Sequence, residues 1–295
     1  MADGWFTRRR FLGGAAALGG GLVLGSSLTG CAELPTGDTG KAMLNELRSA
    51  GVARLAIGNE PPYTQIKTDG SVTGAEPEVA RAVLRMMGID DVQGIITPYE
   101  GMIPGLNARQ WDLITAGLYM NRSRCAEIIY SEPDIVSTES FALRKGNPTG
   151  IETLADVKAD SSITIAVLAG GYEDGLLRTE KVPRGQISAV PDGRSGIEGL
   201  QAGRVDVFLL PTLSLRELVA DNASDIEVSP PVPDIAPTGS GVGFRKTDGY
   251  FRDLFNEKFQ ELKDSGEFAA IIEPWGFPAD EAINTTAEEL CQAPG

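Results

Sequence analysis

Arg124 stands five positions after Tyr119 in the run TAGLYMNRSRC (115–125), which puts an aromatic face and a fixed cation on one short stretch of chain. An arginine fork grips a carboxylate through two parallel N–H bonds, and a tyrosine face attracts a cation. The pair could therefore hold a small organic molecule that carries both charges. Taken alone, the same stretch fits a core tyrosine and a solvated arginine equally well. Two further stretches repeat the pattern. The apolar run VARLAIG (52–58) leads into Asn59-Glu60-Pro61-Pro62-Tyr63, and the run VQGIIT (92–97) leads into Pro98-Tyr99. Prolines lack the N–H that a sheet needs, so Glu60 and Tyr63 sit on a stiff loop leaving a strand. That is where open α/β sheets gather ligand groups; a solvated loop glutamate is the plain alternative. Three strand exits thus carry Tyr63, Tyr99 and Tyr119, out of 6 tyrosines in the chain, which random placement rarely achieves.

The totals narrow the chemistry. The chain has 295 residues, 26 basic and 41 acidic side chains, and no histidine. This acidic balance argues against a partner that is a nucleic acid. Without histidine there is no Ser–His–Asp or Cys–His nucleophile system and no His-ligated zinc. Adjacent Met86 and Met87 read as core packing rather than a metal site, since no thiolate or imidazole stands near them. No catalytic residue, metal ligand or cofactor is expected.

Residues 1–30 read as an address. Thr7-Arg8-Arg9-Arg10-Phe11-Leu12 resembles a twin-arginine export signal, and a Gly/Ala/Leu-rich run follows. Leu28-Thr29-Gly30-Cys31 then resembles a lipobox, in which Cys31 is lipidated and becomes the first residue. The apolar run is short and glycine-heavy for a membrane span. Its GGAAALGGG follows no strand, so it is no phosphate-cradling loop. Residues 31–50 are expected to form a tether and a first helix that stops at Gly51.

From there the chain alternates strand and helix. A helix over GAEPEVARAVLRMMGI (74–89) shows Val79, Val83, Met86 and Met87 on its apolar face, and WDLITAGL (111–118) reads as a third strand. A second unit repeats the grammar: helix IETLADVK, strand ITIAVLAG, then Gly170-Gly171-Tyr172-Glu173 opening a helix whose free N–H groups face an anion. Further strands are expected near ISAVPDG and at VDVFLLP and VGFRK, with helices at SGIEGLQAGR and over 248–272. The Pro/Gly-rich PPVPDIAPTGSG (230–241) reads as a return crossing. Asp192 or Ser195 looks like a helix cap. Past residue 31 the remaining cysteines are Cys125 and Cys291, which in an exported protein are expected to pair. The 166-residue loop they close is worth at most about 5 kcal/mol, and the bridge would pin the tail beside Arg124.

Long runs then carry a resemblance: NEPPYT, PYEGMIPGLNARQWDLITAGLYM, RSRC, YSEP, FALRKGNP, VPDGRSG, GRVDVFLLPTLS, SGEFAAIIEPWGF and TTAEELC. From about Gly51 to Cys291 the chain resembles the extracytoplasmic solute-binding proteins of ABC importers (the amino-acid type, family 3), and within them the ectoine- and hydroxyectoine-binding proteins. The resemblance implies an α/β fold of two lobes, with two hinge crossings and a ligand cleft between them. The crossings are expected near Phe141–Lys145 and Ser240–Arg245. Lobe 1 would then comprise 51–142 with 240–295, and lobe 2 would comprise 143–239. It also implies that Tyr63, Tyr99 and Tyr119 form an aromatic box, that Glu60 meets a ring nitrogen, and that Arg124 meets the ligand carboxylate. Gly171 and Tyr172 would border the ligand from lobe 2. Ectoine suits such groups, being a zwitterion with a delocalised amidinium and one carboxylate. Each ring face offers a desolvated cation about 0.5–2 kcal/mol. The chain departs from the pattern where Tyr63 and Tyr119 replace the usual phenylalanines and Tyr172 replaces a Thr or Ser.

The expected partners are a small zwitterion, an ABC permease, and the outer face of the cytoplasmic membrane through lipidated Cys31, with the protein itself a monomer. Two other readings share the fold. An amino-acid or betaine receptor would use Asp192 or Asp206 for an α-amino group. A dehydratase-type enzyme would use Glu60 or Glu173 as acid or base.

Overall fold

A computed structural model describes residues 39–220 and 225–294. The export signal, Cys31 and most of the tether fall outside the described residues. Two five-stranded sheets organise the rest. The first runs, edge to edge, Asp91–Ile96, Val52–Ile57, Leu113–Ile114, Gly243–Phe244 and Ile129–Tyr130. Its second strand, Val52–Ile57, is parallel to both neighbours, with Leu55 opposite Leu113 and Val52 opposite Asp91. Parallel neighbours need crossover helices, and Ala75–Met86 supplies one. Val79, Ala80, Val83 and Leu84 recur at helical spacing and are fully buried. Met87 joins them, whereas Met86 is 42% exposed, because it falls on the solvent side of the same turn.

The second sheet runs Ile187–Val190, Ile165–Leu168, Val207–Pro211, Glu139–Arg144 and Ile226–Pro231. It repeats the first in kind, three parallel strands flanked by an antiparallel pair. Ile226–Pro231 is a strand the sequence reading did not expect, and its last two residues open the stretch read as a return crossing. It forms an edge strand, where Pro230 and Pro231 need not donate to a second neighbour.

The crossings between the sheets are a short antiparallel pair, Ile135–Ser137 with Thr238–Ser240, register Val136 to Gly239. The crossing expected near Phe141–Lys145 therefore lies earlier in the chain. Glu139–Arg144 belongs wholly to the second sheet, paired on both edges, with Phe141 opposite Leu209. Its middle, Phe141, Ala142 and Leu143, is buried on both faces, as a strand with two neighbours requires. The second crossing precedes Ser240–Arg245 by a few residues.

One expected strand is cut short. Of WDLITAGL, Leu113–Ile114 alone joins the sheet. Gly117, at φ +64, turns the chain out of the extended conformation, and its N–H donates to Glu76 Oε2 over 2.9 Å. Glu76 also accepts from Ser240 Oγ, on a crossing strand. A buried carboxyl thus ties the Tyr119 loop to the hinge. Asp134, just before the other crossing strand, is fully buried near Glu76.

Burial pushes the Glu76 carboxyl up to about 7, against the hydrogen bonds from Ser240, Gly117 and Ala116. Asp134 is raised too, by burial and by the charge on Glu76, with Lys263 opposing. An acid raised in the folded state binds its proton more tightly there than in the unfolded chain. Its contribution to stability is therefore full below the ordinary carboxylate range and is lost as pH rises to about 7. At roughly 1.4 kcal/mol per pKa unit, we expect the melting temperature to fall by roughly 5–10 °C between about pH 5 and pH 8. Glu76→Gln should flatten that slope in a thermal-melt series; an unchanged slope would remove Glu76 from the account.

Candidate functional site

The parallel strands of both sheets point their C-terminal ends at one hollow, as open α/β sheets do. From the first sheet, Ile57 leads to Glu60, Ile96 to Tyr99, and Ile114 to Gly117 and Tyr119. From the second, Leu168 leads to Gly171, Tyr172 and Glu173, while Pro211 closes the far wall. Five of the residues singled out from the sequence (Glu60, Tyr99, Tyr119, Gly171 and Tyr172) line this hollow together.

Glu60 is half-buried and held from both lobes. Its Oε2 lies 2.9 Å from the Tyr99 hydroxyl, and its Oε1 accepts from Ser214 Oγ of the second lobe. The Tyr99 hydroxyl is also 2.9 Å from the Ala116 carbonyl. That carbonyl can only accept, and the phenol has one proton. Serving both contacts fully therefore requires a proton on Glu60. Burial raises the Glu60 carboxyl above its ordinary value, more than the bonds from Ser214 and Tyr99 lower it.

Tyr119 and Tyr172 meet edge to face across the hollow, ring centroids 5.7 Å apart. Tyr63 takes a different place from the one its sequence position suggests. It is 1% exposed, stands behind Tyr119 with a hydroxyl-to-hydroxyl bond, and packs its ring against Phe277 at 4.8 Å. Ser137 of the crossing strand approaches both hydroxyls. Tyr63 therefore buttresses the wall rather than facing the space. Tyr63→Phe should change ligand affinity less than threefold and lower stability by about 1 kcal/mol, the ordinary worth of one hydrogen bond. Titration calorimetry and a denaturant melt on one preparation check both halves.

Arg124 borders the hollow without lining it. Asn121 caps its short helix, accepting from Arg124 N over 2.8 Å. The guanidinium then reaches across the lobes. Nη1 donates to the Tyr119 carbonyl at 2.7 Å and Nη2 to the Gly170 carbonyl at 3.0 Å. A disulfide joins the adjacent Cys125 to Cys291, with Cα atoms 5.8 Å apart. Asp192 and Asp206, considered for an α-amino group, are placed elsewhere. Asp192 caps the helix Gly193–Gln201, and Asp206 binds Arg144 and the Thr164 N–H.

Three site residues escaped the sequence as ligand groups. Ser214 follows the strand Val207–Pro211 and could have been found by the strand-exit rule that found the tyrosines. Glu173 was weighed only as an acid or base. Glu139 opens the strand Glu139–Arg144 and is 1% exposed; a carboxylate just ahead of the apolar Phe141-Ala142-Leu143 was the signal.

The hollow measures about 10 Å³, room for about one water molecule. Any organic ligand needs the lobes to part, and the two crossing strands are the segments able to let them.

A profile of the bacterial extracellular solute-binding proteins, family 3, matches residues 54–278. A probable amino-acid ABC transporter periplasmic-binding protein of Sinorhizobium fredii is 29% identical, covering 85% of this chain and 87% of its own. The L-cystine-binding protein TcyJ of Escherichia coli K12 is 25% identical, covering 88% and 92%. The crystal structure of EhuB in complex with hydroxyectoine superposes with a TM-score of 0.82 at 46% identity, covering 85% of this chain and 98% of that one. Two lobes, a cleft at the strand ends, paired crossings and these likenesses lead to one conclusion: the chain belongs to the bacterial extracellular solute-binding proteins, family 3, the receptors that serve ABC importers.

Proposed function

We propose that the cargo is a compact zwitterion of the ectoine type, ectoine or hydroxyectoine, captured outside the cytoplasm and handed to a membrane permease. Cys31 would carry the lipid that keeps the receptor at the outer face of the cytoplasmic membrane. The observation that carries this reading is the convergence of Tyr99, Tyr119 and Tyr172 with Glu60 at one hollow, with Arg124 at its edge. Ring faces suit a delocalised cation, Glu60 gives it a charge-assisted acceptor, and Arg124 gives the carboxylate a fork. The 46% likeness to a protein crystallised with hydroxyectoine supports the same choice.

Capture would run from an opened cleft. The ligand carboxylate replaces one backbone carbonyl on Arg124, its ring enters between the tyrosines, and the second lobe closes over it. The amino-acid alternative draws on the 29% and 25% identical relatives, but Asp192 and Asp206 are committed elsewhere. Titration calorimetry against ectoine, hydroxyectoine, glycine betaine and a panel of amino acids tests the proposal. Heat from the ectoines and none from the amino acids is expected; the reverse pattern overturns it. Recovery of unchanged ligand after long incubation is expected as well, and a chemically altered product would make the protein an enzyme.

A further inference from the structure

Glu60 is matched by two acids on the opposite wall. Glu173, the second residue of the helix Tyr172–Thr179, lines the hollow at 3% exposure. Behind it lies Glu139, at 1% exposure, whose two carboxyl oxygens have no hydrogen-bonding partner except the facing Glu173 carboxyl. The cation facing this group is Arg124, whose guanidinium already donates to the Tyr119 and Gly170 carbonyls. The remaining titratable neighbours are Glu60 across the hollow and the phenols of Tyr63, Tyr99, Tyr119 and Tyr172. Three carboxyls thus share a desolvated space with one arginine at its edge, where unpaired negative charges are costly. No group of three acidic or cysteine side chains among the described residues is arranged to hold a metal ion. Each acid is balanced there either by its own proton or by a cation that arrives with the cargo.

We propose that Glu173, backed by Glu139, is the second-lobe carboxylate that meets the cargo's delocalised cation on the side opposite Glu60. The site would thereby select cargo with N–H donors on both sides of its positive charge. This rests on the receptor reading above and deepens it. A cyclic amidinium carries two diverging N–H groups and can donate one to each wall, with a charge-assisted bond at each. A fully alkylated ammonium fits an aromatic box but has no N–H to give, so it leaves both carboxylates unbonded. Glu173 also accepts from its own backbone N–H, as a residue in a helix's first turn can. That role alone would bear on stability and not on ligand choice.

A second consequence follows from the same groups. Burial and the Glu60 charge push Glu173 up to about 7, and burial with the Glu173 charge raises Glu139. Glu173 therefore holds its proton at pH 6 in the unliganded site. A bound cation favours the ionised carboxylate and sends a proton to solvent, so affinity rises with pH toward about 8.

The test is titration calorimetry of the wild-type protein, Glu173→Gln and Glu139→Gln with ectoine, hydroxyectoine and glycine betaine. Titrations run at pH 6 and pH 8 in two buffers of different ionisation enthalpy. In wild type we expect the ectoines to bind at least tenfold tighter than glycine betaine, with net proton release at pH 6. Glu173→Gln should lose at least tenfold for the ectoines, change less than twofold for glycine betaine, and release fewer protons. Glu139→Gln, which keeps the Glu173 carboxylate and an N–H that can donate to it, should retain the preference for the ectoines. Wild-type titrations decide the matter even where a variant fails to fold. Ectoine binding with no proton release and no preference over glycine betaine overturns this assignment and leaves the receptor reading standing. A wild type that binds neither ectoine overturns the receptor reading and this assignment with it.

Discussion

Arg124→Ala is expected to weaken ectoine binding by about a hundredfold or more, the largest loss from any side chain at the hollow. A ligand carboxylate enclosed without its arginine is an unpaired buried charge, costing about 3–5 kcal/mol. At 1.4 kcal/mol per decade that is about two to three and a half orders of magnitude. The structure adds a second reason. Arg124 spans the lobes, from the Tyr119 carbonyl at 2.7 Å to the Gly170 carbonyl at 3.0 Å, so its loss also weakens the closed arrangement. Arg124→Lys separates the two contributions. Lysine keeps the charge but has no planar fork, and should recover part of the affinity without the two-carbonyl bridge. Calorimetry that ranks Tyr99→Phe or Tyr119→Phe above Arg124→Ala in loss of affinity would refute this assignment.

Much of this site was legible before any coordinates, for a definable reason. Strand exits follow from hydrophobic runs ending at proline or glycine, and exits are where α/β folds assemble binding groups. Glu60, Tyr99, Tyr119, Gly171 and Tyr172 were all found that way, and all line the hollow. Tyr63 obeys the same local rule yet faces inward, because Gly117 turns the neighbouring loop across its ring. A Cβ on Gly117 would lie 2.9 Å from Tyr63 Cδ1. Local sequence cannot show which of two adjacent rings ends up in front. Glu139 was hidden for a related reason. It lies just before the expected crossing near Phe141–Lys145, and what faces its carboxyl comes from Glu173, a residue set by tertiary packing. The crossings were misplaced by a few residues because a three-residue antiparallel pair, Ile135–Ser137 with Thr238–Ser240, is too short to leave a period in the sequence.

Gly170→Ala is expected to cost at least tenfold in affinity and to abolish the compaction that ligand causes, although residue 170 donates no side chain to the site. Gly170 sits in the second lobe at φ +70, against the start of a first-lobe helix. A Cβ there would lie 2.8 Å from both the backbone N and the Cβ of Glu100. Both are anchored in the helix Tyr99–Asn107 and cannot swing aside. The clash belongs to the closed arrangement alone, whereas the left-handed backbone costs alanine about 1 kcal/mol in either arrangement. Gly203→Ala is the control. Its φ of +67 carries the same backbone cost, but its Cβ would meet nothing nearer than Arg144 Nη1 at 3.9 Å, within the second lobe. That control should melt lower than wild type and bind ligand as wild type does. Small-angle scattering with and without ectoine reads the compaction, and calorimetry reads the affinity. If Gly170→Ala bound and compacted like the control, the lobes would have to close on ligand in an arrangement that keeps Gly170 clear of Glu100. The contacts of Arg124 to Gly170 and of Ser214 to Glu60 would then lie outside the capture step.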